Sequence, residues 1–330
     1  MEQMHNWGII GLGGIARKFA SDLQDVTGAN LYGVASRSPE KAQDFATELN
    51  VEKAYGSYEA LAKNPEVEII YIATPHVFHA EHTRMCFEQG KAVLCEKPMA
   101  MNATQLKTMI HASKEKALFL MEGLWTNFMP HLQKVHQLVR EKTYGECLKV
   151  EADFSFKAEF DSEKRLFNKD LGGGALLDIG IYPVYLALKL LGPPQDIEVN
   201  CEFSSTGVDI SNQIDFKYAS GATAQLSSSF AKTTPSKARI HFEQATVELG
   251  SRFHETDQLD IQTNAGLDQI DFSYPSHGYQ FEIKHVQTCL EKGLTQSPDW
   301  PLDASLELME TLDKIRELMG LVYKEDKSKS

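Results

Sequence analysis

The sequence predicts an α/β protein in which a doubly wound parallel sheet is followed by an α/β domain with an open, mostly antiparallel sheet. A glycine-rich turn links the first strand pattern to a helix pattern, and strand and helix patterns then alternate as far as Met121. Alternating apolar and polar residues begin after Glu146. Because 330 residues are too many for one ordinary core, we predict two domains, residues 1–123 and 124–330, with a C-terminal helix free to pack back on the first.

The composition excludes several classes of partner. The net charge of −13 argues against a nucleic-acid partner, which needs a basic face, and leaves room for a local basic pocket for one phosphate. We expect no membrane partner and a cytoplasmic protein. No apolar run approaches the length of a bilayer span, and the N-terminus lacks the basic region and apolar core of a signal peptide. The five cysteines are scattered without a Cys-x-x-Cys, which predicts neither a disulfide framework nor a cysteine zinc site.

A glycine-rich turn directly follows the first apolar run of the chain. It reads Gly11-Leu-Gly13-Gly14-Ile15-Ala16, and a helix pattern starts at once. Gly11 permits a tight turn, Gly13 lets a pyrophosphate approach the backbone, and the small Ala16 lets helix and strand pack closely. The first helical N–H groups, at Gly14 and Ile15, then face the phosphates. The motif alone is weak, but its strand–turn–helix context favours a dinucleotide site over a simple glycine-rich turn.

The end of the second strand, Leu31–Ala35, bears on the choice of cofactor. NAD-selective folds usually place an acidic residue there for the ribose hydroxyls, whereas this chain has Ser36 and Arg37. A guanidinium can hold a 2′-phosphate in two-point fashion, and Lys41, one helical turn on, adds charge. We therefore predict NADP as the cofactor. NAD is the alternative if Arg37 merely faces solvent.

The strand Val67–Ala73 ends at Thr74 and Pro75, which we interpret as a turn beside the dinucleotide, with His79 starting the next helix. These three residues are therefore candidate cofactor contacts. The histidines of this segment also suggest a metal site. However, the segment contains neither His-Glu-x-x-His nor His-x-x-Glu-His, and no third ligand is evident, so we predict no metal.

The run Val93–Cys95 ends at Glu96, Lys97 and Pro98, a pattern typical of a buried strand that delivers charged residues to a sheet edge. Open α/β sheets bind ligands beyond the carboxyl ends of their strands. Lys97 is therefore a candidate active-site residue and Glu96 a candidate cofactor contact. On this run alone, an ordinary solvated Glu–Lys pair is the simpler interpretation. A cis Lys97–Pro98 bond would aim the lysine inward, and the sequence leaves cis and trans open.

In the segment Gly172–Tyr182, three glycines precede an apolar helix pattern and allow a close approach to its N-terminal end. Asp178 and Tyr182 are four residues apart and share a face if the helix continues. Pro183 is expected to kink that helix. The simpler alternatives are a core tyrosine and an aspartate that caps the helix.

Four motifs stand in order along the chain, and together they are far more specific than any one of them. They are Gly11-x-Gly13-x-x-Ala16, Cys95-Glu96-Lys97-Pro98, Met121-Glu122-Gly-Leu-Trp125 and Gly172-Gly-Gly174-Ala-Leu-Leu-Asp178-Ile-Gly180-Ile-Tyr182. With these motifs the chain resembles the glucose–fructose oxidoreductase, inositol dehydrogenase and rhizopine catabolism (Gfo/Idh/MocA) family over nearly its whole length. Within that family the likeness is greatest to dimeric trans-dihydrodiol dehydrogenases and NADP-dependent D-xylose dehydrogenases.

The resemblance implies a Rossmann domain for dinucleotide binding, followed by a substrate-binding domain. The open sheet of the second domain is implied to carry the subunit contact of a homodimer or larger homo-oligomer. The resemblance also implies that Lys97 lies by the nicotinamide and the substrate, that Asp178 positions the substrate, and that Tyr182 is the acid/base residue. It places Trp125 and Arg165 near the cofactor, with plain packing as the alternative for Trp125.

These residue types suit oxidation of an alcohol by NADP, which needs a base for the hydroxyl proton. Free tyrosine titrates near pH ~10, and a nearby lysine ammonium favours the phenolate. We predict that Tyr182 transfers the proton while Lys97 tunes it and orients the hydroxyl. Asp178 accepts hydrogen bonds from a neighbouring hydroxyl, which suits a small polyol substrate. Asn127 stands where the nearest relatives usually have arginine, which weakens any transfer of their substrate preference.

The leading hypothesis is an NADP-dependent dehydrogenase acting on a sugar, a polyol or a cyclic trans-diol. One alternative is a non-catalytic dinucleotide-sensing protein of the same fold, and another is an oxidoreductase whose bound cofactor does not dissociate. The sequence does not name the substrate, because the pocket walls come largely from 150–170 and the second sheet, where no motif is present.

Overall fold

The computed structural model describes residues 4–327. The helices, in chain order, are α1 (Gly14–Gln24), α2 (Pro39–Glu48), α3 (Tyr58–Ala62), α4 (His79–Glu88), α5 (Ala103–Lys116), α6 (Pro130–Arg140), α7 (Ile181–Leu191), α8 (Tyr279–Glu291) and α9 (Leu302–Met319). The strands are β1 (His5–Ile10), β2 (Ala29–Ala35), β3 (Lys53–Tyr55), β4 (Ile69–Ile72), β5 (Ala92–Glu96), β6 (Leu120–Gly123), β7 (Cys147–Ser155), β8 (Asp196–Phe203), β9 (Asp209–Lys217), β10 (Thr223–Ser229), β11 (Ala238–Phe242), β12 (Ala245–Leu249), β13 (Gln258–Thr263) and β14 (Gly266–Asp271). One compact unit comprises the residues up to Phe128 together with Pro275–Leu306, and the other comprises Met129–Tyr274 together with the residues from Glu307 onward.

The first unit is built on a six-stranded sheet in the order β3-β2-β1-β4-β5-β6, with every neighbouring pair parallel. The strand order reverses between β1 and β4, which makes this point a topological switch of the kind where open α/β sheets bind ligands. The turns after β1, β2, β4 and β5, which carry the predicted cofactor residues, therefore lie along one edge of the sheet. The doubly wound parallel sheet is confirmed.

Local capping explains where two helices of this unit begin. Ser38 Oγ accepts a hydrogen bond from the Lys41 N–H at 3.2 Å, and Asn102 Oδ1 accepts one from the Gln105 N–H at 2.9 Å. Both are residue types that satisfy the first free N–H groups of a helix. The strand Lys53–Tyr55 was not predicted, since three residues are too few to show a period.

The segment Pro275–Leu306 belongs to the first unit although it lies far along the chain. Asp22 of α1 is fully buried, and its carboxylate accepts hydrogen bonds from the backbone N–H of His277 at 3.2 Å and of Tyr279 at 2.9 Å. These bonds satisfy donors at the start of α8, and the Tyr279 ring meets Phe19 of α1 edge-on at 5.9 Å. The predicted division into 1–123 and 124–330 is contiguous, whereas this returning segment makes the first unit discontinuous.

The second unit is built on an eight-stranded sheet in the order β14-β13-β12-β11-β7-β10-β9-β8. Its neighbouring pairs are antiparallel except β7 and β10, which are parallel. The open, mostly antiparallel sheet is thus confirmed. β14 was not predicted, because its residues are mostly exposed and its two apolar side chains, Leu267 and Ile270, are three positions apart and do not alternate.

The helical stretch Lys169–Leu191 is long and apolar enough to cross a bilayer by length and composition. The expectation that no apolar run approaches that length is therefore wrong. Of its most apolar window, 83% is buried inside the protein. Most residues of α7, which ends this stretch, are buried, and a helix that is apolar all round is the pattern expected of a core helix.

Candidate active site

The glycine turn after β1 has the shape and the donor groups that a dinucleotide pyrophosphate needs. Gly11 has a φ of +87°, and a Cβ there would lie 2.5 Å from the backbone of Ala73 and Thr74, so only glycine fits. Within residues 4–327, and apart from the adjacent residues and the backbone of α1 itself, no heavy atom lies within 4 Å of a Cβ placed on Gly13 or Gly14. The backbone N–H groups at the start of α1 therefore border open space, a suitable environment for an anionic phosphate.

The next two residues of this motif, Ile15 and Ala16, differ in burial. Ala16 is fully buried, as its predicted role in close packing of helix and strand requires, and the Ile15 side chain is 45% exposed. The residues present thus fit the NAD(P) dinucleotide that the motif predicts.

The end of β2 carries the residues predicted to recognise the 2′-phosphate. Ser36 is buried, and its Oγ accepts a hydrogen bond from the Ser38 N–H at 3.2 Å, which shapes the turn into α2. Arg37 and Lys41 are exposed. Burial raises the pKa of Tyr58, and the neighbouring Arg37 guanidinium opposes that rise. Arg37 and Lys41 therefore provide positive charge just beyond the strand end.

Two more residues stand next to these: Tyr58, which the sequence did not single out, and His82, which the sequence suggested only as part of the rejected metal site. The hydroxyl of Thr74 lies 2.9 Å from His82 Nδ1, and the rings of Tyr58 and His82 meet edge-on at 4.9 Å. Burial lowers the pKa of His82; Glu81 and Glu59 oppose this effect, and the nearby Arg37 guanidinium adds to it. Tyr58 starts α3 and His82 lies one turn into α4, so only the assembled sheet edge brings them together. In the described part of the chain no cluster of His, Cys, Asp and Glu is suited to a metal ion.

The turn after β5 presents Lys97 on a rigid support. The Lys97–Pro98 bond is cis. Glu96 Oε2 accepts a hydrogen bond from the Lys97 N–H at 3.2 Å, and the Tyr71 hydroxyl donates to Glu96 Oε1. Lys97 itself is half-buried, whereas Glu96 is 8% exposed. Glu96 therefore contacts the turn and β4 directly.

Two further buried side chains fasten this turn. His79 Nδ1 lies 2.9 Å from the Pro98 carbonyl oxygen, and His79 Nε2 lies 2.8 Å from that of Thr74. Glu122 Oε1 accepts a hydrogen bond from the Met99 N–H at 3.1 Å. The His79 ring thus lies between the carbonyl oxygens of two turns and joins them, and its predicted contact with the cofactor stays a prediction. Burial lowers the pKa of His79 to about 4.

Burial raises the pKa of Glu96 from 4.5 to about 7, against the opposing effects of Tyr71 and Lys97. Between these two pKa values, Glu96 therefore stays protonated in the folded state, whereas the unfolded chain releases that proton. The resulting contribution to stability is complete below the unfolded pKa and is lost as the pH rises through the folded pKa. We expect Glu96→Gln to remove roughly 3 kcal/mol of pH-dependent change in unfolding free energy between pH ~4.5 and ~8.

Urea unfolding at pH ~5 and pH ~8 measures this change. The control is Glu115→Gln, at an exposed position of α5. If Glu96→Gln and Glu115→Gln keep the same pH dependence as the unmodified protein, the elevated pKa is not a property of Glu96.

Trp125 begins a short 3-10 turn, Trp125–Phe128, and is 4% exposed. Its ring stacks on that of Tyr279 with the centroids 5.0 Å apart and the planes at 26°. The aromatic pair secures the start of α8 to this turn. The implied position of Trp125 near the cofactor remains a prediction, and Asn127, the departure from the family pattern, is fully buried in the same turn.

In the second unit, Tyr182 lies among aromatic rings. Phe154 of β7 and His254 stack with centroids 4.1 Å apart and planes at 16°. The Tyr182 ring centroid is 5.5 Å from that of Phe154 and 5.2 Å from that of His254. Tyr182 is 5% exposed and His254 3% exposed. Phe154 belongs to the alternating pattern that begins after Glu146, whereas no sequence signal indicated His254.

Asp178 lies in a π-helical turn, Leu176–Gly180, that leads directly into α7. Its Oδ1 is 2.8 Å from Arg165 Nη1. The structure therefore joins Arg165 to Asp178, and the implied position of Arg165 near the cofactor remains a prediction. Pro183 follows this turn inside one continuous helical run, where its missing N–H leaves a backbone hydrogen bond unmade; the kink expected there stays a prediction.

Two family models match the chain. Residues 5–124 match the Gfo/Idh/MocA model described as an oxidoreductase family with an NAD-binding Rossmann fold, and residues 132–248 match the Gfo/Idh/MocA C-terminal domain. The trans-1,2-dihydrobenzene-1,2-diol dehydrogenase of Xenopus tropicalis is 32% identical over 329 residues, which cover 96% of this chain and 98% of that protein. The human protein of the same name is 32% identical over 335 residues, covering 97% and 98%.

Solved structures show the same fold. The 3-ketoreductase KijD10 from Actinomadura kijaniata, in complex with NADP and TDP-benzene, has a TM-score of 0.84 at 24% identity, covering 96% of this chain and 98% of that one. The aldose-aldose oxidoreductase from Caulobacter crescentus, complexed with glycerol, has a TM-score of 0.87 at 24% identity, covering 96% and 97%.

Proposed function

Because the chain belongs to the Gfo/Idh/MocA family and is an NAD(P)-dependent oxidoreductase, we propose that it oxidises a secondary hydroxyl of a sugar, a polyol or a cyclic trans-diol, with NADP preferred. The observation that carries the proposal is the joint presence of Lys97, Asp178 and Tyr182, each on a well-packed element. The relatives named as dihydrodiol dehydrogenases support the trans-diol as the first class to test. Arg37 and Lys41 support NADP.

The proposed chemistry assigns one task to each side chain. Tyr182 exchanges the proton of the reacting hydroxyl, and the Lys97 ammonium favours the phenolate and orients that hydroxyl. Asp178 accepts a hydrogen bond from the neighbouring hydroxyl of the substrate, and Arg165, 2.8 Å from its Oδ1, holds the carboxylate in place. When bound, the nicotinamide supplies the carbon that accepts or returns hydride. The rings of Phe154 and His254, which pack around Tyr182, exclude water from the proton exchange.

A substrate panel tests the proposal. Aldoses, inositols and trans-diols are offered with NADP and with NAD, and formation of reduced cofactor is followed by its absorbance. We expect turnover with at least one class and a higher kcat/KM with NADP. Cofactor binding without turnover on the whole panel would support a dinucleotide-sensing protein instead. Nucleotide retained through purification would support a non-dissociating cofactor.

We also propose a cytoplasmic homo-oligomer, in which the eight-stranded sheet carries the subunit contact. The family resemblance supports the assembly. The five cysteines, all within the described residues, are free thiols, which supports a reducing compartment. Light scattering of the purified protein tests the oligomer, and a monomer at micromolar concentration would contradict it.

A further inference from the structure

A chain of buried polar side chains lies under the π-helical turn Leu176–Gly180. Asp209 Oδ2 accepts a hydrogen bond from the Leu176 N–H at 2.7 Å and another from Asn212 Nδ2 at 2.6 Å. Asn212 Nδ2 also donates to Ser228 Oγ at 3.1 Å. These three side chains belong to residues that are at most 1% exposed. Because Asn212 and Ser228 are paired across β9 and β10, the sheet holds the chain of hydrogen bonds in place.

This chain contacts the turn at both of its ends. At the start of the turn, the Asp209 carboxylate accepts a hydrogen bond from the Leu176 N–H. Gly174 lies two residues before Leu176, and a Cβ placed on Gly174 would lie 2.3 Å from Asp209 Oδ1. At the end, a Cβ on Gly180 would lie 2.8 Å from Ser228 Oγ. Gly174 also has a φ of +134°, which L side chains rarely adopt. The glycines are therefore required because the polar chain and the turn approach each other so closely.

The helical register of the turn determines where Asp178 points relative to Tyr182. A π-helical turn contains one residue more than the corresponding α-helical turn. Conversion of the turn to α-helix would rotate the residues before it by about 100° relative to α7. Asp178 lies within the turn and Tyr182 follows it, so such a conversion would change the direction of the Asp178 side chain relative to Tyr182.

We propose that Asp209, Asn212 and Ser228 are positioning residues, which hold Leu176–Gly180 in its π-helical register and thereby set Asp178 against Tyr182. The inference rests on the proposed function, since it takes Asp178 and Tyr182 as the residues that handle substrate. None of the three side chains touches the reacting atoms. They act through the turn, which they contact at its first and last residues.

A suppressor experiment tests this role. In Gly180→Ala the new methyl meets Ser228 Oγ, and we expect kcat to fall ~10- to 100-fold, the scale of a misplaced catalytic group, with the Kd for NADP unchanged. Adding Ser228→Ala removes the opposing hydroxyl, and we expect the double variant to recover to the kcat of Ser228→Ala alone, which should fall less than that of Gly180→Ala because Asp209 still accepts the Leu176 N–H. Ser227→Ala is the matched control, because Ser227 precedes Ser228 and its side chain faces the other side of the sheet.

The outcomes separate the possibilities. A normal kcat in Gly180→Ala, or an equal loss in the single and the double variant, would overturn the inference. If Gly180→Ala does not fold, Ser228→Ala alone decides: a lower kcat at unchanged Kd for NADP supports positioning, whereas a lower melting temperature with normal kcat contradicts it. Tyr182→Phe is measured in parallel. If it loses activity while the Gly180 and Ser228 variants do not, the positioning role fails and the proposed function stands.

Discussion

Replacing Tyr182 by phenylalanine is expected to lower kcat ~10²- to 10⁴-fold, the usual contribution of a positioned acid/base group. The phenyl ring keeps its contacts with Phe154 and His254, so the fold and the Kd for NADP should change little. Lys97→Ala should cause a loss of similar size. Single-turnover and steady-state rates with the best substrate of the panel measure both effects.

The combination of the two variants is more informative than either alone. If Tyr182 and Lys97 handle the same proton, the double variant should lose little more than the worse single variant, because residues that act as a unit are not additive. Tyr185→Phe is the matched control: Tyr185 lies on the same helix, is fully buried, and its hydroxyl is 3.2 Å from His136 Nε2. It should affect stability and leave kcat unchanged. Near-normal turnover in Tyr182→Phe and in Lys97→Ala would contradict the mechanism.

Local patterns predicted the parts of the fold that depend on local physics. The turn at Gly11 and the strand ends that deliver Thr74 and Lys97 each follow from a few adjacent residues. Once these strands are parallel, their ends meet at one sheet edge, and a candidate cofactor site follows without further information.

Contacts between distant residues were not predictable in the same way. Asp22 binds the start of α8 across some 255 positions of the chain, and nothing in either segment specifies the other. His254 reaches Phe154 and Tyr182 only because the second sheet brings its loop there. The π-helical turn depends on Asp209, which lies on a strand after the helix that it supports. Period and capping rules describe residues a few positions apart, so they are silent on such pairs.

Changing Arg37 to aspartate is expected to reverse the choice of cofactor. A guanidinium that forms charge-assisted hydrogen bonds to a 2′-phosphate contributes about 1.5–3 kcal/mol per bond. Its loss, combined with repulsion from the new carboxylate, should raise the KM for NADP by ~100-fold or more. NAD carries no 2′-phosphate, and an aspartate at this strand end can accept hydrogen bonds from its ribose hydroxyls. The KM for NAD should therefore stay the same or fall.

The KM for each cofactor, measured with one saturating substrate, decides the matter, and the ratio of the two values removes any general effect on folding. Arg84→Asp is the matched control, because it makes the same change of charge at an exposed position of α4 whose native partner is Glu88. It should leave the ratio unchanged. Lys41→Ala should shift the ratio in the same direction as Arg37→Asp but less, since one more distant charge is lost and no carboxylate is added. Equal weakening of NADP and NAD in Arg37→Asp would remove Arg37 from the phosphate site, whatever the substrate turns out to be.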